Sequence, residues 1–359
     1  MIITILATIF VLSVLVVFHE SGHFLAAKLF GMRVERFSLG FPPRLAGRKI
    51  GETDYCISAI PFGGYVKISG MVDESFDKEQ LAKEPQPWEY RSRPWIQRFT
   101  VIFAGPFMNI VFAWLVFVGA VMVYGVAEQV PGAFVGTVVP DRPAAQAGIK
   151  PGDEILSIND QDVSTWDDVT AIIHGAAGKA VRITWTGSGD SAVTAVVTPR
   201  NEKIQNPDGS FTEVGIIGIN PQFNMRRVGL GTAVSVGTEN LYGITRLIVV
   251  SIGRLVSGRE SIKSLGGPVI IAKMAGESAK SGIGTLIGFM AFLSLNLGLL
   301  NLLPLPVLDG GHILFLIIEG IIRREIPVKV KLAIQQVGMI LILGLTLFVI
   351  YNDIIRVIN

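Results

Sequence analysis

His19, Glu20 and His23 stand together in "VVFHESGHFLA", residues 16–26, and spell H-E-x-x-H. On a helix, positions four apart share a face, so both imidazoles can reach one ion. Glu20 is placed beside them to take a proton from a water that the ion has made acidic. Two neutral imidazoles and a carboxylate suit Zn2+, with one position left for water. Val16, Val17 and Phe18 precede the motif, and Phe24, Leu25 and Ala26 follow it. Three ionisable groups in so apolar a run cost free energy unless they have a partner or a task. The chain has only four histidines, His19, His23, His174 and His312, so a coincidental match is rare.

A third ligand must come from elsewhere. In the longer H-E-x-x-H-x-x-G-x-x-H pattern a glycine and a histidine follow, but Ala26 and Leu29 occupy those places. His174 lies in the soluble middle of the chain and reads as an ordinary surface or turn histidine. Asp309, His312 and Glu319 remain as intramembrane candidates. Asp309 leads, because "NLLPLPVLDGGH" (301–312) breaks a hydrophobic segment with two prolines and two glycines. Non-helical backbone at membrane depth is tolerated where it is buried in protein or lines a wet cavity. An aspartate there is a ligand or a helix N-cap. His312, about one turn on, is next in order, and Glu319 reads as a helix-end charge.

The elements that must position these groups follow from composition. The chain has 359 residues, 50% hydrophobic and 17% charged, with net charge +2. Its mean hydropathy is +0.52. A balanced charge gives no electrostatic case for nucleic acid. One cysteine, Cys56, excludes an intrachain disulfide and reads as a small buried residue. Residues 2–29 form a first apolar segment long enough for a bilayer of roughly 30 Å. It lacks the basic start and the small-residue cleavage site of a signal peptide. Residues 100–126 form a second span, with "FAGPFMN" (103–109) near its start. Its Gly-Pro pair marks a helix end or a close backbone approach. Residues 284–322 form an interrupted third segment, and residues 331–351 a fourth.

Between the spans, "GETDYCISAIPFGGYVKISG" (51–70) alternates and carries turn glycines, so it reads as a β-hairpin. Residues 73–93 read as a loop. Residues 221–283 hold amphipathic linker helices, with Leu241, Ile244, Leu247, Ile248 and Leu255 at helical spacing. Basic residues crowd the short stretches at 31–98 and 323–331, which places both in the cytoplasm. Four spans then put both termini and the middle domain on the opposite side.

H-E-x-x-H in the first span, "FAGPFMN" in the second and "NLLPLPVLDGG" in the third together resemble the site-2 protease family of intramembrane zinc metalloproteases. The PDZ-bearing bacterial branch is the nearest match, and the resemblance runs over residues 2–351. It implies that His19, His23 and Asp309 bind zinc and that Glu20 activates water. It further implies that Asn301, and with it Asn109, contacts substrate, and that the hairpin pairs with an unwound substrate. It implies single-pass transmembrane protein substrates, such as trimmed anti-sigma factors or remnant signal peptides, in contact with membrane lipid. The location implied is the bacterial inner membrane, with the PDZ domain on the periplasmic side.

"GTVVPDRPAAQAGIKPGDEILSINDQDV" (136–163) resembles a PDZ domain, which would occupy residues 126–220. PDZ domains take extended peptides by strand addition. Gly215, Ile216, Ile217 and Gly218 in "VGIIGIN" fit the loop that would capture a carboxylate. The domain's role in the family is to filter substrates. The expected architecture is a polytopic α-helical membrane protein of about four transmembrane helices, with a membrane-associated β-hairpin element and an inserted α+β PDZ domain. Residues 1–125 and 284–359 form the two membrane halves. A membrane-anchored PDZ adaptor is the competing function, but Glu20 has no use in a structural metal site. A transporter would need paired repeats, and none is visible.

Overall fold

The computed structural model describes residues 1–71, 84–187, 191–205, 211–261 and 266–358. Two compact units divide the chain: Met1–Met122 with Gly229–Asn359, and Val123–Val228. The first begins with helix α1 (Ile2–Leu29), strands β1 (Val34–Ile50) and β2 (Thr53–Ile68), and helix α2 (Trp95–Tyr124). The middle unit follows with β3 (Val126–Gln129), β4 (Val135–Val138), α3 (Pro143–Ala147), β5 (Glu154–Ile158) and β6 (Gln161–Asp162). It continues with α4 (Trp166–Gly175), β7 (Val181–Thr186), β8 (Ala192–Val197), β9 (Arg200–Gln205) and β10 (Phe211–Ile216). Two short strands, β11 (Ile219–Pro221) and β12 (Phe223–Arg226), close it. The chain returns to the first unit with α5 (Leu230–Val256), α6 (Pro268–Ser281), α7 (Ile283–Asn301), α8 (Asp309–Ile322) and α9 (Val328–Ile358).

Helices α1, α2, α7 and most of α9 are long and apolar enough to cross a membrane. α1 is apolar all round, so size rather than polarity decides which face packs. Its buried residues Ala7, Val11, Leu15, His19 and His23 recur every four positions, with Gly22, Ala26 and Ala27 beside them. Ile2, Leu6, Phe10, Leu25 and Leu29 point outward, as lipid-facing residues do. The two histidines are therefore two more positions of the inward stripe. Small residues allow close approach: a Cβ on Gly22 would strike the carbonyl of Ala104 in α2. α2 runs unbroken through Pro106, so its Gly-Pro pair marks close packing rather than a helix end.

The third hydrophobic segment is two helices, α7 and α8, with residues 302–308 between them. The hairpin is longer than the alternating pattern suggested, since β1 starts at Val34. Residues 34–39 of β1 pair on one side with 64–68 and on the other with 54–57. Arg44 to Ile50 in turn pair with Ser58 to Thr53. Of the anticipated loop at 73–93, residues 73–83 lie outside the described residues, and the rest contains one 3-10 turn, Tyr90–Ser92. In α5, Leu241, Ile244, Ile248 and Ile252 pack on a core with Ala113 of α2 and Ala291 and Leu295 of α7. Leu247 departs from that reading and is 65% exposed. Asp353 of α9 is buried and accepts from the backbone N–H groups of Gly267, Val269 and Ile270, which caps α6.

The middle unit has a four-stranded antiparallel sheet in the order β6-β5-β7-β8. Its core gathers Val135, Ile155, Ile158, Val169, Ile183 and Ile217. A reciprocal Thr165–Asp168 capping box starts α4.

Candidate metal centre

Asp309 reaches the α1 histidines because the 302–308 segment folds back on the start of α8. A Cβ on Gly310 would strike the carbonyls of Leu302 and Leu303, and one on Gly311 the carbonyl of Leu305. Glycine is needed at both positions for the turn to close. The N-cap of α8 is Leu308, without a side-chain cap bond, and Asp309 is the first helical residue. Its carboxylate faces the histidines: Oδ2 is 3.2 Å from His19 Nε2, and Oδ1 is 3.5 Å from His23 Nε2. The two Nε2 atoms are 3.3 Å apart.

These three separations bear on whether a metal fits. Donors about 2.0–2.1 Å from a tetrahedral zinc lie roughly 3.3 Å from one another. The observed edges of 3.2, 3.3 and 3.5 Å match that triangle. Asp309 Oδ2 is buried and accepts no hydrogen bond among the described residues, as an atom reserved for a cation would be. His19, His23 and Asp309 thus fit a zinc ion with one position open, and the chemistry of the donor set agrees.

Each imidazole is steadied from behind. His23 Nδ1 lies 2.8 Å from the carbonyl oxygen of Val101, to which it donates. This leaves Nε2 as the ligating nitrogen. His19 Nδ1 lies 3.2 Å from the amide of Asn109. Asn109 was expected at the substrate, but it is fully buried and turned to His19. The side chain does not line the cavity described below. Rotating its amide end for end gives His19 Nδ1–H an oxygen acceptor, and Asn109 Oδ1 otherwise has no partner among the described residues. Gly105 completes the fit, because a Cβ there would strike the His23 ring.

Glu20, His19, His23 and Asp309 open on a cavity of about 580 Å3. Strand β2 supplies one wall through residues 63–68, and Asn301, His312, Gln335 and Met339 supply others. Asn301 Nδ2 is 3.4 Å from His19 Nε2. The backbone N–H of Val66 reaches the Glu20 carboxylate. His312 stays out of the metal triangle, with Nε2 3.2 Å from Gln335 Nε2. Glu319 also stays out. It is buried, pairs with Lys331 at 2.6 Å and Arg98 at 3.8 Å, and accepts from the N–H of Ile326. Glu319 is a helix-end charge, in the last turn of α8, and a buried, paired one.

Gly215, Ile216, Ile217 and Gly218 belong to the middle unit. Ile217 is in its core, and its carbonyl accepts from the N–H of Ala144. Gly215 packs against the carbonyl of Ile173 in α4. Gly218, at φ +85°, accepts from the N–H of Val139 and sits on the Arg142 side chain. His174 is half-buried at the end of α4, and Cys56 is buried and free. The sequence reading missed Val101, Val66 and Gln335. The first two act through backbone atoms, which carry no sequence signal. Gln335 had one, as an amide in an apolar span.

A membrane-depth His-His-Asp triangle with an adjacent glutamate is the centre of a metallohydrolase. The family comparison agrees: residues 7–345 match the model of peptidase family M50. A protein of Clostridium perfringens provisionally named a zinc metalloprotease is 40% identical over 96% of each chain. A Campylobacter jejuni protein of the same provisional name is 34% identical over 99% of this chain and 94% of its own. The chain belongs to peptidase family M50, the site-2 protease family, and is a zinc-dependent membrane protease. The solved PDZ domain of an SdrC-like protein from Listeria monocytogenes is 25% identical, covering 27% of this chain and 93% of its own, with a TM-score of 0.20.

Proposed function

We propose that the protein hydrolyses peptide bonds in or near the transmembrane segments of single-pass membrane proteins. One observation carries this reading: the His-His-Asp triangle and Glu20 share a cavity with residues 63–68 of strand β2. A transmembrane helix hides its peptide bonds within its own hydrogen bonds, so it must unwind before hydrolysis. Unwinding frees N–H and C=O groups that a strand edge can pair. Residues 64–68 pair with 34–39 on one side, which leaves their other edge for such a segment.

In this reading His19, His23 and Asp309 hold Zn2+, which when bound supplies Lewis-acid polarisation of a carbonyl and acidification of water. A Glu20 carboxylate oxygen takes the proton from the attacking water and returns it to the departing amine. Asn301, at the cavity wall beside His19, orients the substrate main chain. The hairpin is membrane-associated, and the middle unit is a PDZ domain that gates access. The chain sits in a bacterial inner membrane with that domain on the periplasmic side. Substrates of this class include trimmed anti-sigma factors and remnant signal peptides.

Glu20→Gln tests the reading. Reconstituted with a single-pass substrate, the variant should retain stoichiometric zinc and lose cleavage. Undiminished cleavage would overturn the proposal.

A further inference from the structure

Gln335 and Gln336 are neighbouring amides in the apolar helix α9, and only Gln335 faces inward. It is 7% exposed and lines the cavity together with Met339, one turn on. One end of its amide meets His312 Nε2 at 3.2 Å. The other end, Oε1, is buried with no hydrogen-bond partner among the described residues. Buried polar groups are nearly always paired, so an open amide end on the wall of this cavity points to a partner that arrives. Position is fixed as well. Gly338 of α9 packs on Pro306, where a Cβ would be 2.8 Å from the proline Cβ. That contact ties α9 to the segment delivering Asp309.

An extended peptide presents N–H and C=O groups along both of its edges. A strand pairs one edge, and the other must find donors and acceptors elsewhere. A glutamine amide offers both. We propose that Gln335 is a substrate-binding residue: its amide, steadied by His312, hydrogen-bonds the main chain of the unwound substrate along the edge that β2 leaves unpaired. This rests on the reading of the cavity as the substrate site.

The test replaces single backbone amides of a single-pass substrate by esters, position by position around the cleaved bond. Each substrate is offered to the wild-type enzyme and to Gln335→Leu, with bound zinc confirmed. At one position the ester should lower kcat/KM about tenfold for the wild type and leave Gln335→Leu unaffected. If every ester penalty persists in Gln335→Leu, the proposal is overturned. A second measurement needs no folding of that variant. A benzoylphenylalanine photocrosslinker replaces Met339 in a Glu20→Gln background, with Leu341, 68% exposed, as the comparison site. Substrate should be captured at 339 and not at 341, and no capture at 339 overturns the proposal. Cleavage by Glu20→Gln itself would instead sink the underlying reading.

Discussion

Gly105 lies so close to the imidazole of His23 that a methyl group placed on it would overlap Nε2 and Cε1. The ligand's position is thus set by what α2 lacks. Gly105→Ala must push the ring aside or part α1 from α2. We expect zinc affinity to fall at least tenfold, as it does when support behind a ligand is lost. Gly119→Ala, on the same helix with nothing within 4 Å, is the control. Competition with a chelating dye measures both, and equal affinities would remove Gly105 from the account.

Asn109 supports His19 as Val101 supports His23. Asn109→Leu should weaken zinc binding by about 10–100-fold. Asn109→Asp keeps an oxygen acceptor for Nδ1–H and should remain nearer to the wild type. If Asn109→Leu binds zinc normally and raises KM instead, the residue meets substrate, as the sequence motif suggested.

Glu319 joins the ends of three helices through Arg98 of α2 and Lys331 of α9. Its side chain is 3% exposed, so removing it takes the 2.6 Å partner from the largely buried Lys331, while Arg98 keeps Glu325 at 3.3 Å. Breaking such a pair by deleting one partner costs about 3–5 kcal/mol. Thermal unfolding of Glu319→Ala in detergent should show a loss of that order. A melting temperature like that of the wild type would mean that the network adds nothing.

These outcomes bear on how far the sequence could be read. His19, Glu20, His23 and Asp309 were legible because ionisable side chains in apolar runs demand reasons. Gly105 was half legible, since a Gly-Pro pair inside a span signals close approach without naming the neighbour. The extent of the hairpin was hidden by Pro42, Pro43, Gly40 and Gly47, which interrupt the alternation that marks a strand. The partners of Asn109 and Glu319 were not legible, because they lie on other helices, at separations no local pattern encodes. Gln335 could be told from Gln336 only once α9 had a packed side.

Asp168 gives the middle unit a pH dependence. The Thr165 hydroxyl, with the backbone N–H groups of Ser164 and Thr165, holds its carboxyl below the usual value. A depressed folded pKa adds stability above the unfolded value, about 3.9, and that stability fades as pH falls through the folded value. The stability difference between wild type and Asp168→Asn should be constant from pH 7 to pH 5 and shrink below about pH 4. Hydrogen exchange of α4 amides in the intact protein reads it. A difference that grows on acidification would reverse the assignment.

The metal triangle draws two corners from the start of the chain and the third from near its end. Ribosomes build chains from the N-terminus, so His19 and His23 exist long before Asp309 does. Throughout that interval the nascent chain has two imidazoles and no third ligand. The zinc site of this membrane protease is therefore incomplete while its spans are still being made. Its three donors come together only when the last part of the fold closes over the first.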